Sequence, residues 1–182
     1  LNSIYDNFNN NFDICFCECS DLKEYPEYEK YIKNNVDYYY NFNNNEIIKN
    51  FVDSKYKGLG ECYIIKEGLN NIFKNNKSYK NLYKISNRYF LSENFNINVF
   101  NEDYNIFTHW DNNLLSFCSI FYKIRFQDIN IFYQSLLDME HDLSNGNSIE
   151  YSLYKFFNIN IKIIGKLNIE GNLSTEGYLI SI

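Results

Sequence analysis

Hydrophobic and polar positions change rhythm repeatedly along this chain, and each change marks an element. Phe12 to Cys19 (FDICFCEC) is a short, mostly apolar run, the pattern of a strand covered on both faces. Pro26 opens a helix over Glu27 to Asn34, in the first-turn position that proline favours. Val36 to Tyr40 reads as a second strand, and Asn45 caps a helix ending near Val52. A glycine-punctuated turn, Lys57-Gly58-Leu59-Gly60-Glu61, precedes Cys62, Ile65, Leu69, Ile72 and Phe73, which recur at helical spacing.

The second half continues the alternation. Leu82 to Ile85 is a third strand running on into Ser86-Asn87-Arg88-Tyr89-Phe90-Leu91. Ile106 to Thr108 and Phe117 to Ile124 are further strands. Gln127 to Leu143 is a helix whose apolar residues Ile129, Phe132, Tyr133, Leu136, Leu137 and Leu143 keep a three-to-four rhythm. Asn145-Gly146-Asn147 breaks it, and Asn147 or Ser148 caps a last helix through Phe157. Ile161 to Ile164 closes as a strand, and the tail from Lys166 is expected to be irregular. Strands alternating with helices through short loops predict an α/β fold: three layers, a mostly parallel sheet flanked by helices. With no repeat and no linker, residues 1–182 read as one domain.

Composition narrows the partners. Aromatics reach 19%, enough bulk to offset the entropy of ordering, which excludes a disordered acidic tail. With 23 Asp and Glu against 17 Lys and Arg, the chain lacks the basic balance of a nucleic-acid binder. No apolar run approaches the roughly 20 residues that cross a bilayer, and the start has neither the basic nor the apolar region of a signal peptide. The absence of an initiator Met predicts an N-terminally truncated piece of a longer chain. Cys15, Cys17, Cys19, Cys62 and Cys118 are odd in number, and i, i+2 neighbours on a strand bridge poorly. They read as small apolar side chains in a reducing compartment.

In open parallel sheets ligands bind beyond the carboxyl ends of the strands. That places Glu18, Ser20 and Asp21 after the first strand, and Asn87 and Arg88 after the third, at a candidate site. A carboxylate there accepts from ribose or base, or merely caps a helix. An arginine there forks onto phosphate, or forms a structural ion pair. The turn at Gly58 and Gly60 could present backbone N–H groups to phosphate or serve as a plain helix entry. Glu150, in a helical first turn, is either a capping-box carboxylate or a general base. His109 and Trp110, one of two histidines beside the only tryptophan, are packing residues or a sugar platform. No hydrolase motif and no metal-ligand spacing is present.

The order of these pieces resembles the family-2-like, GT-A type glycosyltransferases, which use nucleotide sugars. Leu1 to Tyr5 and Phe12 to Ser20 are similar to that family's first helix and second strand, and Tyr56 to Cys62 to its glycine-containing turn. Leu82 to Leu91 (LYKISNRYFL) occupies the place of the metal-binding DxD strand and resembles a Lys-Ile-Ser/Thr-Gly-Arg-Tyr variant of capsule and lipopolysaccharide transferases, with Asn87 for its glycine. The resemblance implies a Rossmann-like GT-A fold lacking its first strand. It also implies transfer of a hexosyl group from a nucleoside-diphosphate sugar to a glycan or lipid-linked saccharide, in the cytoplasm or at the membrane surface.

On that reading Glu18, Ser20, Asp21, Glu61 and Lys84 contact the donor. Arg88 acts with Lys84 on the departing diphosphate, Glu150 is the base, and His109 and Trp110 line the acceptor side. Lys84 to Arg88 holds no carboxylate, so dependence on Mg or Mn is left open. The alternatives are a non-catalytic carbohydrate-binding module, or an interaction scaffold using Tyr38-Tyr39-Tyr40.

Overall fold

A computed structural model describes residues 1–8, 11–110, 113–172 and 179–181. The helices are α1 (Asn2–Asn7), α2 (Pro26–Asn34), α3 (Glu46–Val52), α4 (Lys57–Lys74), α5 (Ile129–Asp138), α6 (Glu140–Ser144) and α7 (Ile149–Phe156). The strands are β1 (Cys15–Glu18), β2 (Tyr38–Asn41), β3 (Asn81–Ile85), β4 (Tyr89–Leu91), β5 (Asn105–Phe107), β6 (His109–Trp110), β7 (Asn113–Phe117), β8 (Phe121–Arg125), β9 (Ile161–Ile163), β10 (Ile169–Asn172) and β11 (Leu179–Ser181).

The class is α/β, but the mostly parallel, three-layer, Rossmann-like sheet expected from the alternation is not what forms. The strands divide into four small sheets. β1 and β2 pair in parallel, with Cys15 opposite Tyr38 and Glu18 opposite Asn41. The largest sheet has the order β3-β8-β5-β9. It is mixed: β8 runs antiparallel to β3 and β5, and only β5 and β9 are parallel. β4, β10 and β11 form an antiparallel sheet, and β6 and β7 a bulged antiparallel pair. The reason lies around residue 118. The run expected as one strand, Phe117 to Ile124, turns at Cys118 to Ile120, so β8 returns antiparallel alongside β3. The tail expected to be irregular instead supplies β10, whose Gly171 lies so close to β4 that a Cβ would meet the Arg88 carbonyl at 2.5 Å.

β8 is buried along its whole length and sorts its side chains by alternation. Tyr122 and Ile124 face a core built with Leu59, Cys62 and Leu69 of α4, Phe132 and Leu136 of α5, and Leu153 of α7. Phe121 faces a second core with Phe95, Phe100, Ile106 and Ile169. Burying each such ring or aliphatic chain stabilises the fold by roughly 1.5–3 kcal/mol. Lys123 and Arg125 are buried too, and each meets acceptors. The Lys123 ammonium donates to the Phe100 carbonyl at 2.7 Å. Arg125 donates from Nε and Nη2 to Asp128 Oδ2 at 2.8 and 2.6 Å, and Asn105 donates to the same oxygen at 2.8 Å.

Two helices differ from their expected spans. The Gly58 and Gly60 segment is the first turn of α4 rather than a turn before it, because helices cross there without room for side chains. A Cβ on Gly60 would lie 2.9 Å from the Val52 backbone nitrogen, and one on Gly58 3.2 Å from that of Ile149. The long helix expected from Gln127 to Leu143 divides at Met139, which is wholly buried. The break turns Glu140 onto Lys66 and the Tyr63 hydroxyl of α4.

Among the described residues no backbone ladder joins β1 to β3. Side chains clasp the two at both ends. Lys77 and Tyr79, ahead of β3, donate to Asp13 Oδ2 at 2.7 and 2.6 Å, and Asn87, beyond β3, donates to Glu18 Oε2 at 3.2 Å.

Candidate functional site

The starts of α4 and α7 are pressed together at Gly58, which brings Glu61 and Glu150 to one side of the molecule. Ser148 caps α7, its hydroxyl accepting from the Tyr151 N–H at 3.2 Å. Glu150 is the second helical residue, not the third position that a capping-box carboxylate takes. Its Oε1 accepts instead from the Ser119 hydroxyl at 2.7 Å. Ser119 sits in the turn ahead of β8, where its carbonyl accepts from the Lys84 ammonium. Lys84, on β3, also donates to Glu61 Oε1 at 2.5 Å and to the Ser86 hydroxyl at 2.7 Å. A single polar chain thus runs Glu61–Lys84–Ser119–Glu150 across α4, β3, the turn and α7.

Arg88 lies in the turn two residues beyond Ser86, which Lys84 holds; it is exposed, and no hydrogen bond or ion pair holds its side chain among the described residues. Tyr89 reports the neighbourhood: burial pushes its phenol above the ordinary value, Arg88 opposes that rise, and Cys118, Glu61 and Glu150 add to it. Glu18 closes the far side. Its Oε1 accepts from the N–H groups of Cys19 and Ser20 and from the Ser20 hydroxyl at 2.7, 2.9 and 2.9 Å, while Oε2 takes Asn87. Beneath the chain lies Tyr122, its ring 5.9 Å from the Lys84 ammonium and its buried hydroxyl without a hydrogen-bond partner. Burial pushes that phenol well above its ordinary value, with Glu61 and Cys62 adding to the shift.

The structure therefore brings Glu61, Lys84 and Glu150 into one network, while Arg88 is in the turn that follows Ser86, and Glu18, which holds Ser20, takes Asn87 of that same turn. Asp21 stays apart, accepting from the Lys23 N–H at 3.1 Å in a local turn. His109 is elsewhere. Its Nδ1 lies 2.9 Å from the Ser116 carbonyl, and its ring lines a cavity of about 560 Å³ with Phe117, Tyr154, Lys155, Phe157 and Ile161. None of the network residues lines that cavity. Trp110 follows His109 in β6, and its side chain falls outside the described residues. Ser119 was not among the sequence candidates, because its placement depends on the turn hidden within an apolar run. Tyr122 lies in the same run, and nothing in the sequence separates it from the aromatic residues around it.

Among the described residues no group of three or more His, Cys, Asp or Glu side chains is placed to hold a metal ion. The oxygens that could ligate a divalent cation at the network do not fit one. The Glu61 carboxylate, the Ser86 hydroxyl and the Ser119 carbonyl all point at the Lys84 ammonium. No helix among the described residues is long and apolar enough to cross a membrane. Comparison with known proteins returns no match: no protein-family model, no curated protein and no solved structure matches this chain.

Proposed function

We propose that this chain is a glycosyltransferase that moves a hexosyl group from a nucleoside-diphosphate sugar to a hydroxyl of a glycan or lipid-linked saccharide. The observation that carries this reading is the Lys84 bridge. One ammonium gathers Glu61 and the Ser119 carbonyl, and the Ser119 hydroxyl fixes Glu150, with an unpaired guanidinium alongside. The acceptor oxygen attacks the anomeric carbon, the bond from that carbon to the diphosphate breaks, and the acceptor proton passes to Glu150. Hydrogen bonding from Ser119 keeps that carboxylate oriented. The leaving diphosphate gains negative charge, which Arg88 is free to take with two parallel bonds and Lys84 supports from behind. Glu18 and Ser20 offer acceptors and a donor to the nucleoside at the opposite rim.

The same reading puts the protein in the cytoplasm, at the membrane surface when its acceptor is lipid-linked. Titration calorimetry with UDP and GDP, followed by transfer assays over a panel of nucleotide sugars, tests it. Arg88→Ala should lower turnover by roughly 10²–10³, and Glu150→Gln by roughly 10²–10⁴ with nucleotide affinity retained. If the wild-type chain binds no nucleoside diphosphate, or if both variants turn over as the wild type does, the proposal is wrong.

A further inference from the structure

The three cysteines of the first strand region differ in their surroundings, and two of them touch. Cys15 and Cys17 point to the same face of β1 and their sulfurs are 3.8 Å apart, within hydrogen-bonding distance for thiols. Cys17 is pressed against α4 at Gly68, where a Cβ would lie 2.8 Å from its sulfur, so the glycine makes room for the thiol. Both residues are half-buried, whereas Cys19, Cys62 and Cys118 are buried.

We propose that Cys15 and Cys17 are an oxidisable thiol pair, a modification site at which a low-molecular-weight disulfide is reduced to two thiols and an intrastrand Cys15–Cys17 bond forms. Cys15 is the nucleophile. The hydrogen bond from Cys17 holds the Cys15 thiol below its ordinary value, and the same bond, with burial, pushes Cys17 up. Burial pushes Cys19 up as well, Cys62 to about 12 and Cys118 to about 11, which leaves them poor nucleophiles. The Cys15 thiolate attacks one sulfur of the small disulfide, forming a mixed disulfide and releasing the first thiol. Cys17, losing its proton to solvent, then attacks the Cys15 sulfur and expels the second thiol. Two hydrogens leave the protein and appear on the two released thiols.

The strand geometry limits how stable that bond is. An advance of about 3.3 Å per residue separates the Cα atoms of i and i+2 by roughly 6.6 Å, near the upper end of the 4.4–6.8 Å that disulfides span. The sulfurs must close from 3.8 Å to about 2.05 Å, which tightens the pleat immediately before Glu18. A disulfide formed at that limit is a labile, reversible one. The inference is independent of the transferase reading.

The test treats the folded chain with oxidised glutathione, quenches it in acid, alkylates the remaining thiols and maps the disulfides by mass spectrometry. Support requires loss of two hydrogens from the intact chain, loss of two alkylatable thiols, and a Cys15–Cys17 link in the peptide ending at Lys23. Cys17→Ser should stop at glutathione on Cys15, and Cys15→Ser should stay unmodified. The wild-type map decides even where a variant fails to fold: linkage through Cys19, or a Cys15–Cys17 link equally abundant in chain oxidised under denaturing conditions, overturns the proposal. So does glutathione retained on Cys15 of the wild type with no internal bond.

Discussion

Replacing Tyr122 by Phe removes one oxygen from the centre of the molecule, and the structure predicts that the protein becomes more stable. The Tyr122 side chain is wholly buried, and its hydroxyl has no hydrogen-bond partner. In the unfolded chain that hydroxyl is hydrated, so folding strips it of water without replacement. The cost of an unsatisfied buried polar group is about 1–3 kcal/mol. Every other contact of the side chain belongs to its ring. The ring is 5.1 Å from Phe107 and 5.8 Å from Phe132, and lies below the Lys84 ammonium, and phenylalanine keeps all three contacts. The space vacated is that of a single oxygen, so cavity formation offsets only part of the gain. The expected net change is a stabilisation of about 1 kcal/mol or more, a rise of about 2–4 °C in Tm per kcal/mol for a chain of this size. Urea denaturation followed by far-ultraviolet circular dichroism measures it, with the midpoint moving upward at an unchanged slope. A lower midpoint would refute the reasoning, because it would mean that the hydroxyl has a partner in solution and that the network around Lys84 extends beneath the sheet.

Asp128 predicts the opposite outcome: Asp128→Ala removes the buried acceptor that Arg125 and Asn105 share, leaving Arg125 only the exposed Asp103 and Asn105 the Ile159 carbonyl, and should cost about 3 kcal/mol, read as a fall in the same urea midpoint. Among the described residues three carboxylates are held low, Asp13, Glu29 and Asp142, and acid sensitivity should concentrate in the two least exposed, Asp13 and Asp142. Hydrogen bonds from Lys77 and then Tyr79 hold Asp13 below its ordinary value, and Lys155 and then Ser152 do so for Asp142. A carboxyl whose folded value is depressed contributes stability above its unfolded pKa of about 3.9, and that contribution is lost as the pH falls through the folded value. The double variant Asp13→Asn, Asp142→Asn should therefore lose less Tm than the wild type between neutral pH and the acid limb, and parallel Tm curves for the two proteins would contradict the assignment.

How much of this could be read in advance varied with the range of the interactions involved. The helix periodicities of Cys62 to Phe73 and of Ile129 to Leu137 are local, and both helices form, with ends displaced where Gly58 and Gly60 join α4 and where Met139 breaks the longer run. The sheet was misread because Cys118 to Ile120 carries no glycine or proline to mark its turn, and because Lys123 and Arg125 look like solvent-facing residues. Their burial depends on carbonyls and carboxylates supplied by residues 100 to 128. In the candidate site, Glu61, Lys84, Arg88 and Glu150 stood out as charged groups at strand ends and helix starts. Ser119, which ties Lys84 to Glu150, is a small polar residue in an apolar run, and only the antiparallel register of β3 and β8 places it. Asp21 and His109 show the converse: each found a partner nearby in the chain, Lys23 and Ser116, that satisfies it away from the network.

The clasps between β1 and β3 give the molecule a seam. A backbone ladder resists opening through many bonds shared along its length, whereas two latches release one at a time. Lys77 holds the Asp13 carboxyl below its ordinary value, so that latch survives mild acid and releases only once the pH falls below the usual carboxylate value of about 3.9. The face of β1 that carries Cys17 stays pressed on Gly68 of α4, so parting this seam frees one edge of the strand and leaves its thiol face against the helix.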